Sequence, residues 1–186
     1  MGFLALTVRW ALATWFRLQG WKVEGAAPIA RKFVIIAAPH TSNWDFVYFV
    51  GGADALNLKL SFMGKDSLFA RPFGGMMRDL GGIPVNREQA GDMVGTMAAE
   101  FAKRDEFMLT IAPEGTRGKA REWKKGFYYI ALRAGVPMVC GMMDYRRKVV
   151  SLGQAIMPSG DYEADMAVLK TIYQSCSPRR PQLATF

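Results

Sequence analysis

Strand-length apolar runs alternate with helix-length amphipathic patterns along most of this chain, and that alternation limits the fold more than any other feature. Phe33–Ala38 (FVIIAA) is apolar throughout and stops at Pro39, which reads as a buried strand. A helix pattern follows from Trp44 to about Leu56, with Thr41, Ser42 or Asn43 available to cap it. Leu60–Lys65 reads as a second strand and Gly82–Asn86 as a short third. Ala90, Val94, Met97 and Phe101 share one face of a helix between Glu88 and Arg104. Phe107–Ala112 is a strand that stops at Pro113, and Trp123–Ala134 is a helix closed by Gly135. Residues 137–143 and 148–152 read as strands joined by a charged turn. Tyr162, Met166, Leu169 and Tyr173 mark a last helix, and residues from Ser177 are expected to fray. There are no repeats, so the pattern predicts one α/β domain.

Residues 1–20 stand apart. Phe3 to Leu18 is almost wholly apolar but carries Arg9 and Arg17, and Leu4, Val8, Ala11, Leu12, Trp15 and Leu18 fall on one helical stripe. The stretch is short for a bilayer span, which takes roughly 20 apolar residues. It lacks the basic start and small-residue cleavage site of a signal peptide. Its two arginines, with Trp10 and Trp15, suit an amphipathic helix lying in the headgroup region; a helix packed on the domain's own core fits equally well.

The formal net charge of +8 implies an anionic partner, which phosphate, an acidic membrane or nucleic acid would satisfy. Nucleic acid is disfavoured: there is no zinc-finger spacing, no RNA-binding aromatic signature and no arginine-rich tail. Cys140 and Cys176 are the two cysteines and His40 the one histidine, too few for an ordinary zinc site, so no metal is expected.

His40 lies in the turn between the FVIIAA strand and the next helix, and Asp45 in the first turn of that helix. Five helical residues turn through about 500°, so the two side chains meet only if His40 stays outside the helix. A carboxylate against one ring nitrogen fixes the tautomer and leaves the other nitrogen to accept a proton. No G-x-S-x-G nucleophile is present, so the group deprotonated would belong to a substrate. A lone histidine beside a carboxylate is also a common structural pair. Pro113–Arg117 (PEGTR) follows another strand directly. Gly115 permits close backbone approach, Thr116 offers a hydroxyl, and Arg117 a planar fork suited to phosphate. Lys124 and Lys125 add positive field nearby, for a donor's phosphates or for a membrane, although a solvated basic loop has the same composition. Gly81–Arg87 is a third glycine-led strand, whose Arg87 could join Arg117 around one anion.

These blocks together resemble the glycerolipid acyltransferase family, which includes the lysophosphatidic acid acyltransferases. His40–Asp45 (HTSNWD) looks like the family's H-x4-D block, Gly82–Arg87 (GIPVNR) its second, Glu114–Arg117 its E-G-T-R block, and Val136–Val139 its fourth. All four occur in the family's order between Phe33 and Met143. The resemblance implies an α/β domain with a mixed, mostly parallel sheet flanked by helices. With the residue pattern above, the chain divides into a membrane-associating helix over 1–20, an acyltransferase domain over 21–176 and a tail over 177–186.

By the same resemblance, His40 and Asp45 are the catalytic pair, and Arg87, Glu114, Gly115, Thr116 and Arg117 bind substrate. No cofactor is implied beyond the acyl-CoA or acyl carrier protein thioester that serves as co-substrate. The acceptor is a lysolipid such as 1-acylglycerol-3-phosphate, met at the cytoplasmic face of a membrane in phospholipid biosynthesis. Pro84 stands where lysophosphatidic acid members tend to carry a bulky apolar residue, which leaves other lysolipids open. Two further readings use the same features: a non-catalytic lipid-binding or transfer protein, and a thioester hydrolase.

Overall fold

The computed structural model describes residues 2–26, 28–85 and 92–185. One seven-stranded sheet runs in the order β1 (Lys22–Glu24), β7 (Val149–Ile156), β6 (Met138–Asp144), β2 (Lys32–Ala37), β5 (Phe107–Ile111), β3 (Leu60–Lys65) and β4 (Gly82–Val85). Every neighbouring pair is parallel except β6 and β7, so the sheet is mixed and mostly parallel. The antiparallel pair follows from its link: only four residues separate β6 from β7, enough for a hairpin and too few for a crossover.

β2 is the central strand, and its alternation builds both faces of the core. Val34 and Ile36 point with Leu109, Ile111, Met138 and Cys140 toward α4 (Met93–Lys103), α5 (Gly126–Ala134) and α6 (Tyr162–Tyr173). Phe33 and Ile35 join Met108 and Val139 beneath α2 (Trp44–Ala55) and its exit at Leu56 and Leu58. With both faces covered, the strand needs no polar residue, which is why it reads FVIIA.

α1 (Phe3–Leu18) docks on α2. A Cβ on Gly51 would lie 2.5 Å from Cβ of Phe16, so only glycine allows this approach. Arg9 Nε lies 2.9 Å from Oδ1 of Asp54 and Arg17 Nη2 3.4 Å from its Oδ2, so both arginines reach α2, Arg9 partly buried and Arg17 still exposed. The inward stripe is Ala5, Ala13 and Phe16, rotated from the expected one, and Leu4, Ala11, Trp15 and Leu18 are exposed. Phe3, Trp10 and Leu18, 86%, 70% and 77% exposed, leave the outer face apolar. No helix among the described residues is long and apolar enough to cross a membrane.

Among the described residues, four short elements escaped the sequence pattern: β1, a 3-10 turn at Asp66–Phe69, α3 (Gly74–Asp79) and another 3-10 turn at Pro181–Leu183. Each is too brief to show a period. α5 begins at Gly126, not Trp123, and β7 runs on past Leu152 to Ile156. Residues 177–185 are not frayed: their backbone is bonded to Tyr145, Thr41 and Trp123, and the Thr185 hydroxyl donates to Ala120 O. A chain without apolar periodicity is held here by polar contacts that only the folded surface provides.

Candidate active site

β6, β2 and β5 are adjacent and parallel, so their carboxyl ends lie along one edge of the sheet. Tyr145 follows the first, His40 the second and Glu114 the third. Three separate turns thereby converge, as ligand sites in open α/β sheets commonly do.

Asp45, in the first turn of α2, is the hub. Its Oδ2 accepts from the backbone N–H groups of Thr41 (2.8 Å) and Ser42 (2.9 Å) and lies 3.1 Å from Nδ1 of His40. Its Oδ1 accepts from the hydroxyl of Tyr145. The carboxylate thus gathers the N–H groups of the turn that leads into α2. Of Thr41, Ser42 and Asn43, the expected caps, Ser42 alone meets a helix N–H, its Oγ accepting from Trp44 N at 3.2 Å, and the Asn43 side chain makes no cap bond. Asp45 is almost wholly buried, whereas the His40 side chain keeps 26% of its surface. With Nδ1 turned to the carboxylate, Nε2 is the nitrogen left to take a proton. Burial, reinforced by the bond to Asp45 and opposed by the Arg179 charge, holds the Tyr145 hydroxyl well above its ordinary range, so it stays a donor.

Glu114 ties the β5 turn to the β2 turn, its Oε1 accepting from the backbone N–H of His40 at 3.0 Å. The residue is 4% exposed, and its Oε2 has no partner among the described residues. Burial raises its pKa, and the His40 N–H bond opposes that shift. Its second oxygen is thus a buried acceptor whose bond the described residues do not supply, next to the turn that carries His40.

Gly115 adopts φ +64°, the left-handed turn that favours glycine, and the Lys124 side chain passes over it, its Cε 3.0 Å from where a Cβ would stand. Thr116 and Arg117 are exposed, and Thr116 Oγ1 closes the turn by accepting from Gly118 N at 3.1 Å. Asp45 and Glu114 therefore both contact His40, one at its ring and the other at its backbone N–H, with Gly115, Thr116 and Arg117 in the adjoining turn and the Lys124 side chain over it. Lys125 is drawn away: its Nζ lies 3.6 Å from Glu163 and over the Tyr162 ring. Arg87 lies outside the described residues.

Two residues were invisible to the sequence reading. Tyr145 sat in what read as a charged turn, and Arg179 in the expected frayed tail. The Arg179 guanidinium rests over the rings of Trp44 (5.3 Å to the centroid) and Tyr145 (5.8 Å). Tyr145 also ends an aromatic row in which Trp15 stacks on Trp44, Trp44 on Tyr48 and Tyr48 on Trp21, with Trp21 and Tyr48 both edge-on to Tyr145.

Fold and site together define an α/β enzyme built around one histidine–carboxylate pair at the carboxyl edge of its sheet. A family model described as Acyltransferase matches residues 20–143 of the 186, and the chain belongs to that family: it is an acyltransferase. Among solved structures it is similar to the 1-acyl-sn-glycerophosphate (LPA) acyltransferase PlsC from Thermotoga maritima, with a TM-score of 0.67 and 20% identity. The match covers 92% of this chain and 77% of that one, and at such identity it is a likeness of fold.

Proposed function

We propose that this acyltransferase moves a fatty acyl group from an acyl-CoA or acyl carrier protein thioester to the hydroxyl of a lysophospholipid, 1-acylglycerol-3-phosphate being the leading candidate. The single observation that carries the reading is the 3.1 Å contact between Nδ1 of His40 and the buried Asp45 carboxylate. Nε2 of His40 takes the proton of the acceptor hydroxyl as that oxygen attacks the thioester carbonyl. The tetrahedral adduct collapses, the C–S bond breaks, and the imidazolium returns its proton to the departing thiolate. Asp45 holds the tautomer and balances the transient charge.

Glu114 receives a second acceptor hydroxyl on its free oxygen, and Arg117 with the Gly115–Thr116 turn takes the acceptor's phosphate, with Arg87 as a further cation. Holding both reactants in register converts a bimolecular encounter into a local one, worth several kcal/mol. The resemblance to an LPA acyltransferase fold supports this acceptor over other lysolipids.

Transfer is direct, with no acyl-enzyme. Ser42 is buried, and its Oγ is occupied at the start of α2. Both cysteines are buried, and burial raises their thiols, Cys176 to about 12, so neither supplies a thiolate. The apolar outer face of α1 seats the protein on the cytoplasmic face of a membrane, where both lipid substrates reside.

Incubation of the purified protein with labelled acyl thioester and a panel of lysolipids, read by product mass, tests this. Acylated lipid is the expected product. Free fatty acid alone, unaffected by acceptor, would make the protein a hydrolase, and lipid binding without turnover a transfer protein.

A further inference from the structure

Residues 177–185 cross the edge of the sheet that carries His40. Ser177 O accepts from Tyr145 N at 2.8 Å, and Arg180 N donates to Thr41 Oγ1 at 3.3 Å. Further on, Lys119 Nζ donates to Gln182 O (3.4 Å), Trp123 Nε1 to Thr185 O (2.7 Å) and Thr185 Oγ1 to Ala120 O (2.9 Å). The segment is therefore strapped from the turn after β6, past the His40 turn, to the loop that follows Arg117. Its first two anchors, Tyr145 and Thr41, are themselves donors to Asp45.

Arg179 lies between those two anchors. Its guanidinium lies over Trp44 and Tyr145, and no carboxylate pairs with it among the described residues. A guanidinium held near aromatic rings, with no carboxylate partner, keeps N–H donors for an anion. Lys119 bonds Gln182 and Lys125 is held on α6, so neither is as free as Arg179.

We propose that Arg179 is a substrate-binding residue, taking a phosphate oxygen of the reacting pair on the β6 side of His40, as Arg117's turn does on the β5 side. The assignment rests on the acyl-transfer reading of the His40 site. The phosphate belongs either to the lysolipid acceptor or to the thioester donor, and the chemistry of recognition is the same for both.

The test uses the full chain with Arg179→Gln and Arg179→Lys. KM is measured separately for 1-acylglycerol-3-phosphate and for acyl-CoA, and the affinity for each of the two, without the other, by calorimetry. Arg179→Gln is expected to raise one KM about tenfold or more, with kcat changed less than about threefold, and Arg179→Lys to recover part of it. A rise confined to the acceptor assigns its phosphate; a rise confined to acyl-CoA assigns the donor's. Two unchanged KM values, or a fall in kcat that tracks a lowered Tm, would overturn the role. If the wild type transfers no acyl group, the acyl-transfer reading falls by itself. Calorimetry still decides on Arg179: equal acceptor and acyl-CoA affinities in wild type and Arg179→Gln overturn it, and a loss of either sustains it.

Discussion

The hydroxyl of Tyr145 donates to Oδ1 of Asp45 across a hundred positions of sequence, and it reaches that carboxylate because β6 runs parallel to β2. Asp45 therefore presents one oxygen to Tyr145 and the other to His40 and two backbone N–H groups. Hydrogen bonds to a charged group contribute about 1.5–3 kcal/mol each. Tyr145→Phe should leave the packing intact and let the carboxylate rotate off His40. Its expected signature is a fall in kcat of roughly tenfold or more with KM within about twofold. Steady-state kinetics beside a melting curve checks this; a changed KM with normal kcat would place Tyr145 in binding instead.

His40 and Asp45 should separate in their effect on stability. His40→Ala removes a partly exposed ring and is expected to abolish transfer with little change in Tm. Asp45→Asn leaves a neutral amide oxygen for the N–H groups of Thr41 and Ser42 and turns an NH2 toward Tyr145, whose hydroxyl must reverse to accept, so the charge-assisted bonds are lost. It should lower kcat by on the order of 10³-fold and also lower Tm. Calorimetric scans of both variants beside activity provide the measurement, and an unchanged Tm in Asp45→Asn would contradict the hub geometry.

Glu114 gives stability a specific pH dependence. Burial raises its pKa in the folded chain above the ordinary value near 4.5, so folding takes up a proton in the window between the two. The destabilisation from ionising it is absent below the ordinary value, grows as pH rises through the window and is complete above the raised one. Glu114→Gln keeps an acceptor for the His40 N–H but never ionises. Its Tm should therefore match the wild type's at about pH 4 and exceed it at neutral pH, while activity falls. A difference in Tm that is the same at both pH values would remove the carboxyl's ionisation as the cause.

The outer face of α1 is open to a direct test. Deleting the helix would bare Gly51 and strand Asp54, confounding binding with folding. Phe3→Ser, Trp10→Ser and Leu18→Ser together remove exposed apolar surface only. Each fully buried side chain of this size contributes about 1.5–3 kcal/mol, so vesicle affinity should fall at least about 100-fold with Tm almost unchanged. Cosedimentation with anionic vesicles measures it, and undiminished binding would move the membrane contact to another surface.

Much of this was legible before any coordinates, for identifiable reasons. β2 is buried on both faces and bounded by Pro39, so FVIIA announces a strand, and the positions of His40 and Glu114 just beyond two such strands placed both at the sheet edge. Asp45's contact with His40 was legible because it is local. Tyr145 and Arg179 were not, because their roles depend on which strand lies beside which, and no local pattern encodes the order β6-β2-β5. The stripe on α1 misled for a related reason. The helix is apolar nearly all round, so Gly51, on its partner, selects the inward face.

The aromatic row that ends at Tyr145 has a practical consequence. Three of the five tryptophans, Trp15, Trp21 and Trp44, belong to it, and Trp44 lies directly beneath Arg179. Indole emission responds to nearby charge and to local polarity, so a ligand settling beside His40 alters the light from a cluster already in place. Equilibrium titrations on the unlabelled protein can thus follow occupancy optically, without waiting for turnover.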